Sequence, residues 1–194
     1  SLNISAFFMD YKDMQVSVYR FNEGFRVMNA ASASSHGLEV EMSWSPLVNL
    51  SVSANYGYVL GKFDDYTYED SLGVIIDHSG EKIGSSPKNS FNLLLDYKHE
   101  INDNFDLVLG LEYEYRSSYR NLVTETEAFY LNNSRGLTNL NVGLNHGKIE
   151  LVFWSKNVFD EKYTILKTKD LALGLKREIW GAPRTLGCSL RYDL

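Results

Sequence analysis

Apolar residues recur at every second position over eight segments of this chain. Because successive side chains of a β-strand point to opposite faces, each segment is predicted to be a strand with one apolar and one polar face. The fifth segment shows the pattern most clearly, with Phe105, Leu107, Leu109, Leu111, Tyr113 and Tyr115 in its apolar row. The predicted strands cover residues 2–18, 38–44, 50–60, 91–98, 105–116, 139–145, 149–156 and 186–194. No segment shows a sustained helical period of apolar residues.

The connections between the predicted strands alternate in length. The short turns lie at 45–49, 99–104 and 145–148, and the long polar loops lie at 21–34, 63–88, 118–135 and 160–180. Transmembrane β-barrels keep short turns on one side and long loops on the other. This order therefore favours an all-β fold, an antiparallel transmembrane β-barrel.

The two faces of the predicted strands support the same interpretation. Several apolar rows cover about ten residues of strand, which is the length that a tilted strand needs to cross the hydrocarbon layer. Aromatic residues such as Trp44, Tyr113 and Tyr192 lie near strand ends, where interfacial girdles belong. A membrane barrel would turn the apolar rows to lipid, whereas a soluble β-sandwich would bury them. The alternation alone leaves the β-sandwich binding module open.

Composition and motifs exclude several functions. A net charge of −6 over 194 residues argues against a general nucleic-acid binder. The four histidines, His36, His78, His99 and His146, do not have the spacing of a metal site, and no nucleophile–base, P-loop or dinucleotide motif is present. We therefore expect no enzyme activity, no cofactor and no metal site. The single cysteine, Cys188, cannot form an internal disulfide.

Three stretches together resemble one protein family. They are NAASASSHGLEVEMSWSP (29–46), KNVFDEKY (156–163) and GAPRTLGCSLRYDL (181–194). FFMDYKDMQV (7–16) and YGYVLGKFDDY (56–66) are also similar to its members. The family is the TonB-dependent receptors of the Gram-negative outer membrane, and the matches follow the family order over nearly the whole chain. Leu194 departs from the pattern, since such barrels usually end in an aromatic residue, but Tyr192 occupies the aromatic position two residues earlier.

The resemblance implies both a fold and a function. Residues 1–194 would supply about the last eight strands of a 22-stranded barrel, with the N-terminal plug domain and the earlier strands absent. The receptor would lie in the outer-membrane lipid, hold its own plug, and use TonB to take up a scarce nutrient. Ferric siderophores are the most common ligands of the family. A complete eight-stranded barrel serving as an anchor or adhesin is an alternative, although its inward glycines and serines would fill a narrow interior poorly.

Candidate ligand-binding residues lie in or beside two of the long loops. Aromatic faces can stack on a flat anionic ferric chelate, and guanidinium groups bind anions through paired hydrogen bonds. The candidates are Tyr66, Tyr68, Arg116, Tyr119 and Arg120. The acidic stretch DDYTYED (64–70) is compatible with a calcium-binding loop or with a solvated acidic loop.

Glu39 and Glu41 form a separate candidate site. They lie two residues apart, so they share one face of a strand. The resemblance implies that they contact the plug, because plugs of this family dock against the barrel through Arg–Glu pairs. Simple hydration inside the barrel is the alternative.

Overall fold

The computed structural model describes residues 1–20, 24–70, 72–121, 128–169 and 174–193. The strands within these residues are β1 Leu2–Arg20, β2 Gly24–Leu47, β3 Leu50–Glu69, β4 Ile75–Asp77, β5 Asn89–Asn102, β6 Phe105–Arg116, β7 Tyr119–Arg120, β8 Leu131–Asn132, β9 Arg135–His146, β10 Ile149–Lys156, β11 Thr164–Lys169, β12 Lys176–Trp180 and β13 Thr185–Tyr192. A 3-10 turn at Ala128–Tyr130 accompanies them. No helix in the described ranges is long and apolar enough to cross a membrane.

Nine of the described strands form one antiparallel sheet. Eight of them lie in the order β1-β2-β3-β5-β6-β9-β10-β13, and the short β4 pairs with β3 beside this path. Each strand pairs with the next long strand along the chain, as expected for strands joined by hairpin connections. β1 and β13 lie at opposite edges and do not pair with each other. A complete eight-stranded barrel would require that pairing, so this alternative is wrong.

The connections divide the sheet into two ends. Tight turns after β2, β5 and β9 lie at one end, which we call the turn end. The long segments 70–88, 117–134 and 157–184 lie at the other, which we call the loop end. From β2 onward, the predicted alternation of short and long connections is therefore present in the structure.

The predicted loop at 21–34 is wrong over residues 24–34, and residues 21–23 lie outside the described residues. β1 and β2 continue as a paired ribbon as far as Arg20 opposite Gly24. This part of β2 carries small residues such as Ala31 and Ala33, so it lacks the large alternating apolar side chains by which strands were predicted. Its burial comes instead from tertiary contacts, since Ala31 and Ala33 pack in a core with Phe63 and Tyr66. The bounds predicted for β6 and β10 agree with the structure.

Residues directly opposite one another in an antiparallel pair share a face, so the register assembles the apolar rows into one apolar face. One row joins neighbouring strands in the order Trp44, Val52, Leu95, Leu111, Leu140, Ser155 and Leu186. At the ends of this row Trp44 is 57% exposed and Leu186 is 73% exposed. A soluble sandwich would cover this face with a second sheet, and the described strands include none that does so. The sandwich alternative is therefore wrong.

The opposite, polar face is held by cross-strand side-chain contacts. The Asn139 amide donates to Glu112 at 2.9 Å on the neighbouring strand. Glycine is required where a large neighbour lies over the backbone: a Cβ at Gly187 would collide with the Trp154 ring. The predicted inward glycines thus make room for neighbouring side chains on the polar face.

The compact core lies on the polar face at the loop end. It consists of Val16, Ala31, Ala33, Phe63 and Tyr66. β3 extends beyond β5 here, so one of its edges would lack a partner. Segment 78–83 fills that edge, with the Phe63 N–H donating to the Glu81 carbonyl at 2.9 Å and the Ile83 N–H to the Gly61 carbonyl at 3.1 Å. The segment therefore lies beside β3 because it satisfies backbone groups that would otherwise lack partners.

Candidate ligand-binding cleft

A cleft of 540 Å³ opens at the loop end between segment 80–88 and the β7–β8 hairpin. Two of the five predicted ligand-binding residues, Tyr119 and Arg120, line it. Lys82 and Lys88, which were not singled out from the sequence, line its other side. The cleft therefore joins the two loops that were predicted to capture ligand.

Ser85 fastens the two sides of the cleft together. Its backbone N–H donates to the Arg120 carbonyl at 2.6 Å, and its hydroxyl donates to the Asn121 carbonyl at 2.8 Å. Ser85 has a φ of 60°, in the left-handed region that is uncommon for a residue with a Cβ. The two hydrogen bonds hold it in this conformation and bring Lys82 and Arg120 to the same opening.

Basic side chains outnumber acidic ones among the described residues that line the cleft. Lys82, Lys88 and Arg120 line it, and Glu81 is the one acidic residue in this described lining. The Glu81 carboxylate lies 3.4 Å from Nδ1 of His78, and the Lys88 ammonium lies 5.3 Å from the centre of the Tyr58 ring. Cationic groups beside an aromatic surface suit an anionic, partly planar ligand.

Tyr66 and Tyr68 lie beside the cleft rather than in its lining. Tyr66 is only 3% exposed, and its ring packs 4.8 Å from that of Phe63 and 5.3 Å from that of His78. Burial raises the pKa of Tyr66, with a smaller contribution from Tyr68. Burial also raises the pKa of Tyr68, and Asp70 adds to the effect. In this structure the Tyr66 ring supports the loop and is not open to a ligand; the binding role of both tyrosines stays a prediction.

Arg116 lies on the polar face of β6, apart from the residues that line the cleft. Its Nε donates to Glu114 at 2.9 Å, and the same carboxylate oxygen accepts from Arg135 at 3.2 Å. Arg135 lies directly opposite Arg116 and also packs its guanidinium 4.4 Å from the centre of the Tyr163 ring. The two arginines therefore share one carboxylate. Arg135 could not be found from the sequence, because its partners come from β6 and from the segment after β10.

Comparison with known families decides the identity of the fold. The family model for the TonB dependent receptor-like β-barrel matches residues 1–160. The chain belongs to the TonB-dependent receptor family. This confirms the resemblance carried by the sequence stretches and, with the open antiparallel sheet, confirms the predicted segment of a larger receptor barrel.

Solved structures share the fold of this receptor segment. The ferric yersiniabactin uptake receptor of Yersinia pestis superposes with a TM-score of 0.81 at 16% identity, over 100% of this chain and 27% of its own length. A siderophore receptor of Acinetobacter baumannii superposes with a TM-score of 0.76 at 16% identity, over 98% of this chain and 26% of its own length. The ferripyoverdine receptor of the Pseudomonas aeruginosa outer membrane superposes with a TM-score of 0.70 at 19% identity, over 100% of this chain and 25% of its own length. The chain spans about a quarter of the length of each of these receptors.

Glu39 and Glu41 of the receptor segment lie on the polar face of β2. Both are exposed, and Glu39 accepts a 3.5 Å hydrogen bond from the Ser5 hydroxyl. Their register partners on β3 are Gly57 and Asn55, which leave the carboxylates open on this face. Their contact with a plug stays a prediction.

The family-like stretch KNVFDEKY forms the turn that leads out of β10. Asn157 is 5% exposed: its amide donates to the carbonyls of Glu161 and Ala182 at 3.0 and 3.1 Å, and its oxygen accepts from the Glu161 N–H at 2.8 Å. Asp160 accepts from the Arg184 N–H at 2.9 Å. These contacts fasten the turn to the segment that enters β13, so the residues that carried the resemblance have a structural role in the receptor.

The acidic stretch 64–70 is largely occupied by its own contacts. Asp64 accepts a 2.9 Å hydrogen bond from the Ser34 hydroxyl. Asp70 accepts from the N–H groups of Leu72 and Val74 at 2.8 and 2.9 Å, which closes a tight turn. Within the described ranges, no group of three or more His, Cys, Asp or Glu side chains is arranged to hold a metal ion.

Proposed function

We propose that this chain is the barrel segment of an outer-membrane receptor of a Gram-negative bacterium that takes up a ferric siderophore with energy supplied through TonB. The observation that carries the proposal is the cationic cleft at the loop end of a sheet whose apolar face is exposed. Family membership supports TonB coupling and a plug inside the barrel. Receptors named for ferric yersiniabactin, ferric catecholates and ferripyoverdine share the fold, which favours an iron chelate as ligand.

The chemistry of the cleft agrees with such a ligand. A ferric chelate of catecholate or related type is anionic and presents flat ring faces. Lys82, Lys88 and Arg120 would neutralise its charge, and Tyr119 offers its ring beside them. Arg116 on the polar face, deeper toward the barrel, would meet the ligand after the cleft.

Growth of a receptor-deletion strain tests the proposed ligand. The strain carries the full-length receptor and grows on iron chelates of catecholate and hydroxamate type, on cobalamin, or on oligosaccharides as the limiting nutrient. We expect growth on an iron chelate and a loss of about five- to a hundred-fold in its affinity in Arg120→Ala, corresponding to roughly 1–3 kcal/mol. Lys82→Ala should lower affinity in the same direction.

Lys148→Ala is the matched control, because Lys148 is an exposed lysine at the turn end. It should leave affinity unchanged. Uptake of cobalamin or an oligosaccharide alone would refute the iron assignment. Arg116→Ala is measured in the same way. Iron uptake that is unchanged by Arg116→Ala, Arg120→Ala and Lys82→Ala would remove these residues from the site.

We further propose that Glu39 and Glu41 hold the plug. Their carboxylates are open on the polar face and lie on adjacent levels of one strand. The double variant Glu39→Ala, Glu41→Ala should loosen the plug, so cells become more sensitive to large antibiotics while ligand binding at the surface stays largely intact. Replacement of the apolar-face neighbour Val40 by Ala is the control. If antibiotic leakage and ligand uptake in the double variant both equal those of the Val40 control, the carboxylates do not hold the plug.

A further inference from the structure

Three segments of the loop end meet at one buried polar side chain, Asn132. It is 1% exposed. Its amide nitrogen donates to the Asn121 side-chain oxygen at 2.7 Å and to the Tyr119 carbonyl at 3.4 Å. Its oxygen accepts from the Thr164 hydroxyl at 3.1 Å. We call Asn121, Asn132, Thr164 and Lys167 the Asn132 junction.

The junction joins the β7–β8 hairpin to the β11–β12 hairpin. The Asn121 side-chain oxygen accepts a second hydrogen bond, from the Lys167 N–H at 3.2 Å. The Tyr119 hydroxyl donates to the Ile165 carbonyl at 3.3 Å. Residues 119–121 are therefore fixed to β11 by side chains, although no strand pairing joins the two hairpins.

Two of these residues, Tyr119 and Arg120, also line one side of the cleft. Ser85, from the facing loop, donates to the carbonyls of Arg120 and Asn121. Tyr119 and Arg120 thus stand between two anchors, Ser85 on the cleft side and Asn132 on the hairpin side. The position of the cleft lining depends on both.

A buried amide with all of its groups paired is costly to break. Removing one partner leaves the others buried without hydrogen bonds, and such networks are lost as units more readily than bond by bond. The junction therefore favours one arrangement of the three segments.

We propose that Asn132 is a positioning residue for the cleft: through Asn121 it fixes the Tyr119–Arg120 side against the β11–β12 hairpin and so presents these two residues to the anionic ligand in one geometry. This rests on the proposed function only for the identity of the ligand. Asn132 does not touch the ligand. It couples the hairpin to the cleft.

The geometric part is tested by the distance between two spin labels on the full-length receptor, at Lys82→Cys and Lys169→Cys, with the native cysteine Cys188 replaced. Both positions are exposed. Lys82 lies across the cleft from Tyr119 and Arg120, and Lys169 lies on β11, which the junction joins to those two residues. We expect a narrow distance distribution that broadens in Asn132→Ala and in Thr164→Val, which removes only the hairpin side of the junction. Asn133→Ala, at the exposed neighbouring position, should leave it narrow. A distribution as broad in the unsubstituted receptor as in Asn132→Ala, or one unchanged by both junction variants, would overturn the proposal.

The binding part is tested with ferric catecholate and ferric hydroxamate probes. Thr164→Val should weaken binding of the probe that the receptor takes by roughly 3- to 20-fold, although Thr164 is not part of the cleft lining. Combined with Arg120→Ala, it should add far less than its separate effect, because both act on the same side chain. Full additivity would overturn the positioning role. If neither probe binds, the iron assignment fails, and the distance measurement alone decides whether the junction fixes the cleft.

Discussion

At the scale of single residues, the polar side chains that organise the loop end act by satisfying backbone groups. Asn157 shows this most clearly, because it combines three side-chain hydrogen bonds with a φ of 50°. Asparagine tolerates the left-handed region better than most residues that carry a Cβ. One side chain thus fixes both the direction of the chain after β10 and its contact with the segment before β13.

Asn157→Ala should lower the free energy of unfolding of the full-length receptor in lipid by about 2–3 kcal/mol, because three hydrogen-bonding groups lose their partner and alanine disfavours positive φ. Asn157→Gly should cost less, since glycine adopts this φ freely. Urea unfolding measures the free energy of unfolding of both Asn157 variants. Lys162→Ala, an exposed position in the same segment, should change stability by less than about 0.5 kcal/mol. Equal losses in Asn157→Ala and Lys162→Ala would show that the network does not stabilise the turn.

Single residues were also the hardest features to predict from the sequence. Tyr119 and Arg120 could be proposed because loop position and side-chain chemistry coincide there. Arg135 and Asn132 could not, because their importance comes from partners on distant segments: Glu114 on β6 for the first, and Thr164 on β11 for the second. Tyr66 has suitable chemistry for a ligand, but the fold buries its ring. A single sequence does not show whether such a side chain will be buried or open to a ligand.

At the scale of elements, the alternation predicted a strand wherever large apolar side chains form one row. It succeeded for β6, where the register sets Leu111 opposite both Leu95 and Leu140. It failed for the first part of β2, because alanine and serine carry little signal and their burial comes from non-local packing against Phe63 and Tyr66 on β3. The β11–β12 hairpin was predicted as loop for a similar reason: it is short and lies outside the main sheet.

Segment 72–88 is held to β3 by backbone hydrogen bonds and by the Tyr66, Tyr68 and His78 rings. Because burial raises the pKa of both tyrosines above their ordinary value of 10.0, the closed segment favours the neutral phenols. The neutral phenols contribute fully to the stability of the closed segment below their ordinary pKa. This contribution is lost as pH rises through the raised pKa. The segment should therefore open in alkaline solution.

A spin label at Ile75→Cys, an exposed position on β4, reports this opening. Its mobility in the full-length receptor should be constant from neutral pH to about pH 10 and should rise above it. The double variant Tyr66→Phe, Tyr68→Phe should remove the rise, since it has no phenol to ionise. A label at Leu111→Cys controls for loss of the whole barrel. The same alkaline transition in the phenylalanine variant would show that other groups open the segment.

At the scale of the whole molecule, the sheet has two free edges and one broad exposed apolar face. Unpaired edge groups and exposed apolar rows are both unfavourable in water, and unpaired backbone groups are more costly still in lipid. The remainder of a receptor barrel would pair the edges of β1 and β13, and lipid would cover the apolar face. The polar face would then line the interior, with the cleft at its loop end.

The central claim is that this apolar face contacts lipid and the polar face lines the barrel. Leu111 and Glu112 are neighbours on β6 that point to opposite faces, with Glu112 bonded to Asn139 on the polar side. Spin labels placed singly at these positions of the full-length receptor in lipid vesicles measure access to oxygen, which concentrates in the bilayer, and to a water-soluble relaxing agent. The label at 111 should respond mainly to oxygen and the label at 112 mainly to the water-soluble agent. Equal responses at the two positions, or the reverse pattern, would contradict the account.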